Sequence, residues 1–231
     1  MICASTGLSR PAAVVFDMDG LLFDTETLSQ AAFVAAASET GQQFPSDLFF
    51  RLIGGTWPDD RTLLLDHCGA SFPVDAFQVI WKRQFDLLVE TSLTLKPGAL
   101  ALLGTLDELR IPRAIATSSS LDSVRHHLGA LGLTGRFDAI VARGDYAAGK
   151  PAPDPYLRAA ERLGVEPRLC LALEDSFNGI RSAAAAGMIA VMVPDLLQPT
   201  PEIRALCSFI ADDLLAVRQS IIPCKGGEVL L

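Results

Sequence analysis

Two aspartates, Asp17 and Asp19, follow directly on a short apolar segment near the start of the chain, and Gly20 comes next. The apolar segment, residues 13–16, has the composition of a buried strand, so both carboxylates are expected at its carboxyl end. In open α/β sheets, ligands bind at that edge. Two acids one residue apart repel each other unless a cation or a proton bridges them. The spacing therefore indicates a cation-dependent acid site.

Polar residues also follow other predicted strands. Because parallel strands end at one edge of a sheet, residues far apart in sequence become neighbours there. These residues are Thr117 and Ser118 at the end of strand 113–117, Lys150 in the loop GKPAPDPY after strand 137–141, and Glu174 and Asp175 after strand 169–173.

These residue types fit the steps of phosphoryl transfer. Asp17 is predicted to attack phosphorus and form an aspartyl-phosphate, and Asp19 to protonate the leaving oxygen and then activate water. The Thr117 hydroxyl and the Ser118 amide would donate hydrogen bonds to phosphoryl oxygens. Lys150 would add a positive charge that offsets the carboxylates. The predicted catalytic residues are therefore Asp17, Asp19, Thr117 and Lys150. Thr117 and Lys150, together with Ser118, are also predicted to bind the substrate.

The remaining acids predict a metal site. Glu174 and Asp175, together with the first pair of aspartates, offer several oxygen ligands, which suit a hard cation such as Mg²⁺. Such an ion would reduce the repulsion between Asp17 and an incoming phosphate. The predicted cofactor is therefore Mg²⁺. Gly20, in the turn beside the acids, is assigned to substrate binding.

The rest of the chain alternates between strand-type and helix-type segments, which predicts a doubly wound, parallel, Rossmann-like α/β core. The alternation stops between residues 25 and 95, where helical segments at 26–39, 46–52, 59–67 and 74–90 follow one another. We interpret this block as a helical cap over the strand ends. The predicted organisation is a flexible tail at 1–12, a core at 13–24 and 96–220, a cap at 25–95, and a second tail at 221–231.

Composition narrows the functional class. The formal net charge of −8 argues against nucleic acid or an anionic membrane as the main partner. The five cysteines have no paired spacing, which favours reduced thiols in the cytoplasm. No apolar segment approaches the roughly 20 residues that span a bilayer. We expect a cytoplasmic protein that binds a small phosphorylated metabolite, and its oligomeric state is left open.

The motifs FDMDGLLFDTE, ATSS, GKPAPDPY and LEDSFNGIRSAAAAGM together resemble the haloacid dehalogenase-like superfamily, in its phosphatase and phosphomutase branch. The resemblance extends from about residue 13 to residue 193. It implies Mg²⁺ bound through Asp17, the Asp19 carbonyl and Asp175, with Glu174 assisting. It also implies that residues 20–24 couple cap opening to the site.

Within this superfamily, Asp19 argues against a dehalogenase, and the position of Lys82 argues against a phosphonatase. The main alternative is a phosphomutase similar to β-phosphoglucomutase. That mutase carries a cap histidine where Ser29 stands here, and a cap arginine near the position of Pro58, although Arg51 and Arg61 flank this loop. These differences favour hydrolysis of a phosphomonoester such as a sugar phosphate. A non-catalytic phosphate-binding protein is the remaining alternative.

Overall fold

A computed structural model describes residues 10–55 and 57–222 of the protein. The predicted tails at 1–12 and 221–231 lie almost wholly outside these ranges. The strands are β1 (Ala13–Phe16), β2 (Arg113–Ala116), β3 (Ala139–Val141), β4 (Cys170–Glu174), β5 (Ile189–Met192) and β6 (Phe209–Ile210). The α-helices are α1 (Thr25–Glu39), α2 (Trp57–Cys68), α3 (Val74–Ser92), α4 (Ala99–Leu109), α5 (Leu121–Ala130), α6 (Asp154–Leu163), α7 (Phe177–Ala185), α8 (Pro201–Leu206) and α9 (Leu214–Ile221).

The strands form one parallel sheet in the order β3-β2-β1-β4-β5-β6. β1 lies between β2 and β4, and Phe16 is in register with Ile115 on one side and Leu173 on the other. The carboxyl ends of these strands therefore lie side by side. This arrangement confirms the predicted Rossmann-like α/β fold.

Both faces of the sheet are covered because successive residues on a strand point to opposite faces. Val14 and Phe16 belong to a hydrophobic cluster with residues of α4, α5 and α9. Ala13 and Val15 belong to a second cluster, with residues of α6 and α7. The all-apolar composition of β1 follows from this burial on both sides.

Helices α1, α2 and α3 share a third hydrophobic cluster. In this cluster Phe33 of α1 packs against α3, with ring centroids 5.5 Å from Phe77 and 5.1 Å from Trp81. The inserted segment therefore has apolar packing of its own, in addition to its contacts with the core.

Two features differ from the prediction. The predicted helix at 46–52 is wrong, since only a 3₁₀ turn forms there, at Phe49–Arg51. The segment lies between Pro45 and Gly54, and its backbone bonds span three residues, which leaves Leu48, Phe49 and Leu52 buried against the inserted helices.

Helices α8 and α9 were not predicted, although both carry cap signals. The Thr200 side chain accepts from the Ile203 amide, with Pro201 in the first turn of α8. The Asp213 side chain accepts from the Ala216 amide at the start of α9. A capping residue at the start of each segment is thus the local signal for both helices.

Candidate active site

The predicted site residues meet at the carboxyl edge of the sheet. One cavity of about 470 Å³ is lined by Asp17 and Asp19 after β1, Thr117 and Ser118 after β2, Lys150 before α6, and Asp175 after β4. Glu174 and Gly20 do not line the cavity, but both contact residues that do. The parallel register of β1, β2 and β4 accounts for this convergence.

Lys150 connects two of the acids. Its buried ammonium group donates hydrogen bonds to Asp17 Oδ1 and Glu174 Oε1. Burial alone would lower the pKa of Lys150, but the carboxylates of Asp17 and Glu174 outweigh that effect and hold the pKa above its ordinary value. Lys150 is therefore a fixed positive charge beside the first aspartate.

Glu174 lies beneath the site, fully buried. Its Oε1 accepts from Lys150 and from the Tyr156 hydroxyl, at 2.7 Å for the tyrosine. Its Oε2 accepts from the backbone amide and the hydroxyl of Ser176, at 3.2 and 3.0 Å. Both oxygens are thus satisfied, and this network positions Lys150.

The backbone of Gly179 in α7 leaves no room beside Glu174. A Cβ atom at Gly179 would lie 1.8 Å from the carboxylate carbon of Glu174. Helix α7 therefore begins over the buried carboxylate, and the Ser176 side chain caps it by accepting from the Gly179 amide.

Three buried acids form a candidate metal centre. Ligand oxygens of Asp17, Glu174 and Asp175 lie within 4.8 Å of one another. Asp175 Oδ1 is buried and has no hydrogen-bond partner within residues 10–55 and 57–222. Such an orphaned carboxylate oxygen is costly unless a cation contacts it. The all-oxygen donor set fits a hard divalent cation such as Mg²⁺.

The pKa values of the acids reflect this crowding. Burial raises the pKa of Asp17 well above its ordinary value, Lys150 opposes that rise, and Glu174 and Asp19 add to it. Burial also raises the pKa of Asp175, with Asp17 and Glu174 contributing next. A bound divalent cation would reverse these shifts by favouring the ionised carboxylates.

Gly20 allows the loop that follows β1 to lie close to the loop that follows β4. It has a φ of +77°, and a Cβ atom there would lie 2.3 Å from Asp175 Oδ2. Its amide donates to Phe23 O at 3.0 Å and to Thr25 Oγ1 at 3.1 Å. Gly20 thus folds the turn after Asp19 back onto the start of α1.

Asp19 and the loop after β2 are directly linked. The hydroxyl of Ser119 donates to Asp19 Oδ2 at 2.7 Å, and the Ser119 amide donates to Thr117 Oγ1 at 3.0 Å. The Ser118 carbonyl accepts from Arg143 Nε at 2.9 Å. Ser119 was not among the predicted site residues, although it is the third hydroxyl in the run that begins at Thr117.

The inserted helices complete the cavity wall. Ser29, Trp57, Asp60 and Trp81 line it, and so does Glu26 in the first turn of α1. Burial, followed by repulsion from Asp19, raises the pKa of Glu26 to about 8. Burial, followed by repulsion from Asp59, raises the pKa of Asp60 to about 7.

The two arginines that flank the loop around Pro58 lie outside the cavity wall. Neither Arg51 nor Arg61 lines the cavity, and Arg61 pairs with Asp75 at 3.1 Å. Lys82 does line it, but Lys82 is exposed and paired with Asp86 in the next turn of α3.

Comparisons with known proteins identify the family of this chain. Residues 11–187 match the family model for haloacid dehalogenase-like hydrolases. The chain is 40% identical over 198 residues to the plasmid-encoded protein CbbY of Cupriavidus necator, covering 79% of this chain and 78% of that protein. It is 33% identical to the fructose-1-phosphate phosphatase YqaB of Escherichia coli, covering 80% and 97%.

A solved structure shows the same fold. A CbbY variant from Rhodobacter sphaeroides, in complex with xylulose-1,5-bisphosphate, matches with a TM-score of 0.74 and 28% identity. The match covers 88% of this chain and 95% of that one.

The chain belongs to the haloacid dehalogenase-like hydrolases. Within that family it is a phosphoric monoester hydrolase, as its phosphatase relatives indicate. Within residues 10–55 and 57–222, no helix is long and apolar enough to cross a membrane.

Proposed function

We propose that this protein is a magnesium-dependent phosphatase that hydrolyses a small phosphomonoester, such as a sugar phosphate, through an aspartyl-phosphate on Asp17. The observation that carries the proposal is the meeting of Asp17, Lys150, Asp175 and Thr117 at one cavity. A carboxylate nucleophile, a fixed positive charge, hydroxyl donors and a candidate metal centre are the parts that phosphoryl transfer requires.

In the first half-reaction, an oxygen of Asp17 bonds to phosphorus as the bond to the leaving oxygen breaks. The carboxyl group of Asp19, oriented by Ser119, gives its proton to that oxygen. Thr117 and Ser118 bind the phosphoryl oxygens, and Lys150 balances their charge. The product alcohol then leaves the cavity.

In the second half-reaction, the Asp19 carboxylate takes a proton from water, which attacks phosphorus and frees Asp17 and inorganic phosphate. A Mg²⁺ ion held by Asp17, the Asp19 carbonyl and Asp175 would neutralise phosphate charge when bound. Glu174 would assist chiefly by orienting Lys150, because both its oxygens already accept hydrogen bonds.

We further propose that residues 25–95 act as a cap on the core at 13–24 and 96–220. The separate hydrophobic cluster of the inserted helices and their share of the cavity wall support this division. Hydrolysis is favoured over a mutase reaction because Ser29 lines the cavity at the expected place of the mutase histidine, and because Arg51 and Arg61 do not line it.

The test is a panel of phosphomonoesters assayed for phosphate release with Mg²⁺ and with a chelator. Asp17→Asn serves as the control, because the amide keeps the shape of the side chain and removes the nucleophile. We expect Mg²⁺-dependent release by the wild type and none by the variant. Hydrolysis of an aryl phosphate by Asp17→Asn would refute the mechanism, and isomer interconversion without release would indicate a mutase.

A further inference from the structure

Two carboxyl groups in the cavity wall have no part in the proposed reaction. Glu26 in α1 and Asp60 in α2 both line the cavity that contains Asp17. They are close enough that the charge of Asp60 affects Glu26. Neither carboxyl group has a hydrogen bond or an ion pair with another residue of the described ranges 10–55 and 57–222.

Glycines make room for both side chains. A Cβ atom at Gly55 would lie 2.3 Å from Asp60 Oδ1, and a Cβ atom at Gly20 would lie 3.1 Å from Glu26 Cγ. The loop that contains Gly55 is docked on the core, because Asn178 Nδ2 donates to the Gly54 carbonyl at 2.9 Å. The backbone at Gly55 therefore lies close to the Asp60 side chain, and the backbone at Gly20 lies close to the Glu26 side chain.

The neighbouring wall has the chemistry of a site for a hydroxylated ligand. Trp57, Trp81 and Asn178 line the same cavity. The Trp81 indole is fixed by its hydrogen bond to the Ser29 carbonyl at 3.0 Å. Apolar aromatic walls with a few placed polar groups are typical of pockets for small molecules. Carboxyl and amide groups can accept hydrogen bonds from hydroxyl groups, and amide NH₂ groups can also donate to them.

This part of the wall does not suit a second phosphate. Of the described residues 10–55 and 57–222, the lysines and arginines that line the cavity are Lys82, Arg143 and Lys150, and none of these three lies on α1 or α2. Lys150 is bonded to Asp17 and Glu174, and Lys82 is paired with Asp86. A second phosphate beside Glu26 and Asp60 would meet two acidic groups, and Lys96, the cation whose charge acts on Glu26, is already paired with Asp195 and Asp24.

We propose that Glu26 and Asp60 bind hydroxyl groups of the substrate, so that this enzyme selects singly phosphorylated polyols or sugars over bisphosphates. The inference rests on the proposed function, since it assigns the part of the substrate that leaves as an alcohol. A site built to hydrogen-bond a hydroxyl rejects an analogue that lacks it, because the polar groups of the site are then left unpaired.

The experiment compares kcat/KM for three kinds of substrate: hydroxylated sugar monophosphates, the matching bisphosphates, and p-nitrophenyl phosphate, which has no hydroxyl group. Asp60→Ala and Glu26→Ala are each expected to lower kcat/KM for the best sugar monophosphate about 10- to 100-fold. The loss on p-nitrophenyl phosphate should stay below about threefold, because that substrate makes no hydroxyl contact. Asp60→Asn and Glu26→Gln should recover part of the loss.

Asp47→Ala is the matched control, since Asp47 is an exposed aspartate of the same inserted segment outside the cavity wall. It should leave both activities unchanged, and melting temperatures establish that every variant folds. Equal losses of kcat/KM on the sugar monophosphate and on p-nitrophenyl phosphate would overturn the inference. A wild-type preference for the bisphosphate would overturn it as well. In that case, loss of the preference in Arg143→Ala would assign the binding of the second phosphate to Arg143. A wild type inactive on all substrates would instead refute the proposed function.

Discussion

Gly179 offers a test of the buried hydrogen-bond network beneath Asp17. In Gly179→Ala, the added methyl carbon would lie 1.8–2.0 Å from atoms of the Glu174 carboxylate, so Glu174 has to move. Movement of Glu174 breaks hydrogen bonds to Lys150, Tyr156 and Ser176 and releases Lys150 from its position. We therefore expect losses in both stability and activity.

The expected loss of unfolding free energy in Gly179→Ala is the balance of a stabilising effect and two destabilising effects. Alanine is favoured over glycine within a helix by about 1 kcal/mol. Overpacking costs about 1–3 kcal/mol, and each lost hydrogen bond to a charged group costs about 1.5–3 kcal/mol. With one of these hydrogen bonds lost outright and the others only distorted, the net loss in unfolding free energy should be about 1.5–5 kcal/mol. In a chain of this length, that corresponds to a fall in Tm of about 3–20 °C. The rate kcat should fall at least about tenfold, because Lys150 no longer faces the phosphoryl group.

Gly104→Ala provides the matched control. Gly104 also lies in a helix, α4, but a Cβ atom there has no neighbour within 4 Å. This variant should gain about 0.5–1 kcal/mol and keep full activity. Thermal melts, urea denaturation and phosphate-release kinetics measure the pair. A Gly179→Ala enzyme as stable and as active as the wild type would refute the packing described around Glu174.

Three further predictions concern the same region. Tyr156→Phe removes the hydroxyl that donates to Glu174. It should lower the unfolding free energy, measured by urea denaturation, by about 1–3 kcal/mol, and it should also lower kcat. Unchanged values of both would contradict a positioning role for Tyr156. The pKa of Glu26 is raised in the folded protein to about 8, so the wild type should lose stability relative to Glu26→Gln as pH rises from about 4.5 to about 8 in metal-free buffer. Parallel curves of Tm against pH would contradict this shift. Mg²⁺ at about 100 times its Kd should stabilise the wild type by about 2.7 kcal/mol, and Asp175→Asn should largely remove that gain in thermal melts. An equal gain in both proteins would place the ion elsewhere.

Much of the site could be predicted because its residues follow apolar strands directly. Asp17 follows β1 and Asp175 follows β4, and a parallel sheet brings such positions together whatever the intervening sequence. The core could be predicted for a similar reason, because helices and strands alternate along the sequence after residue 95. The site and the core thus both follow from local patterns in a single sequence.

The contacts of individual side chains could not be predicted in this way. Glu174 and Asp175 are adjacent in sequence, yet Glu174 lies beneath the sheet edge against Tyr156, while Asp175 lies beside Gly20. The pleat of β4 explains the divergence, because successive side chains point to opposite faces. Sequence identifies two acids at a strand end, but their roles separate only when neighbouring elements are in place.

Two further side chains show the same dependence on their neighbours. Asp154 begins α6 without capping it, because Pro153 is the cap residue and the Asp154 carboxylate accepts from the Ala148 amide at 3.2 Å. His127 of α5 is buried, and its ring contacts Phe23 with centroids 5.5 Å apart. Neither contact follows from the sequence pattern of the helix that carries the residue.

The pairing of β1 with β4 has a consequence for biosynthesis. Strand β1, which Asp17 follows, is synthesised well before its partner strand β4, which spans residues 170–174. A nascent chain that ends before this point has an open edge at β1 and lacks Glu174 and Asp175 of the candidate metal centre. Chaperones that shield exposed strand edges should therefore bind stalled chains of this length more strongly than chains that include β4.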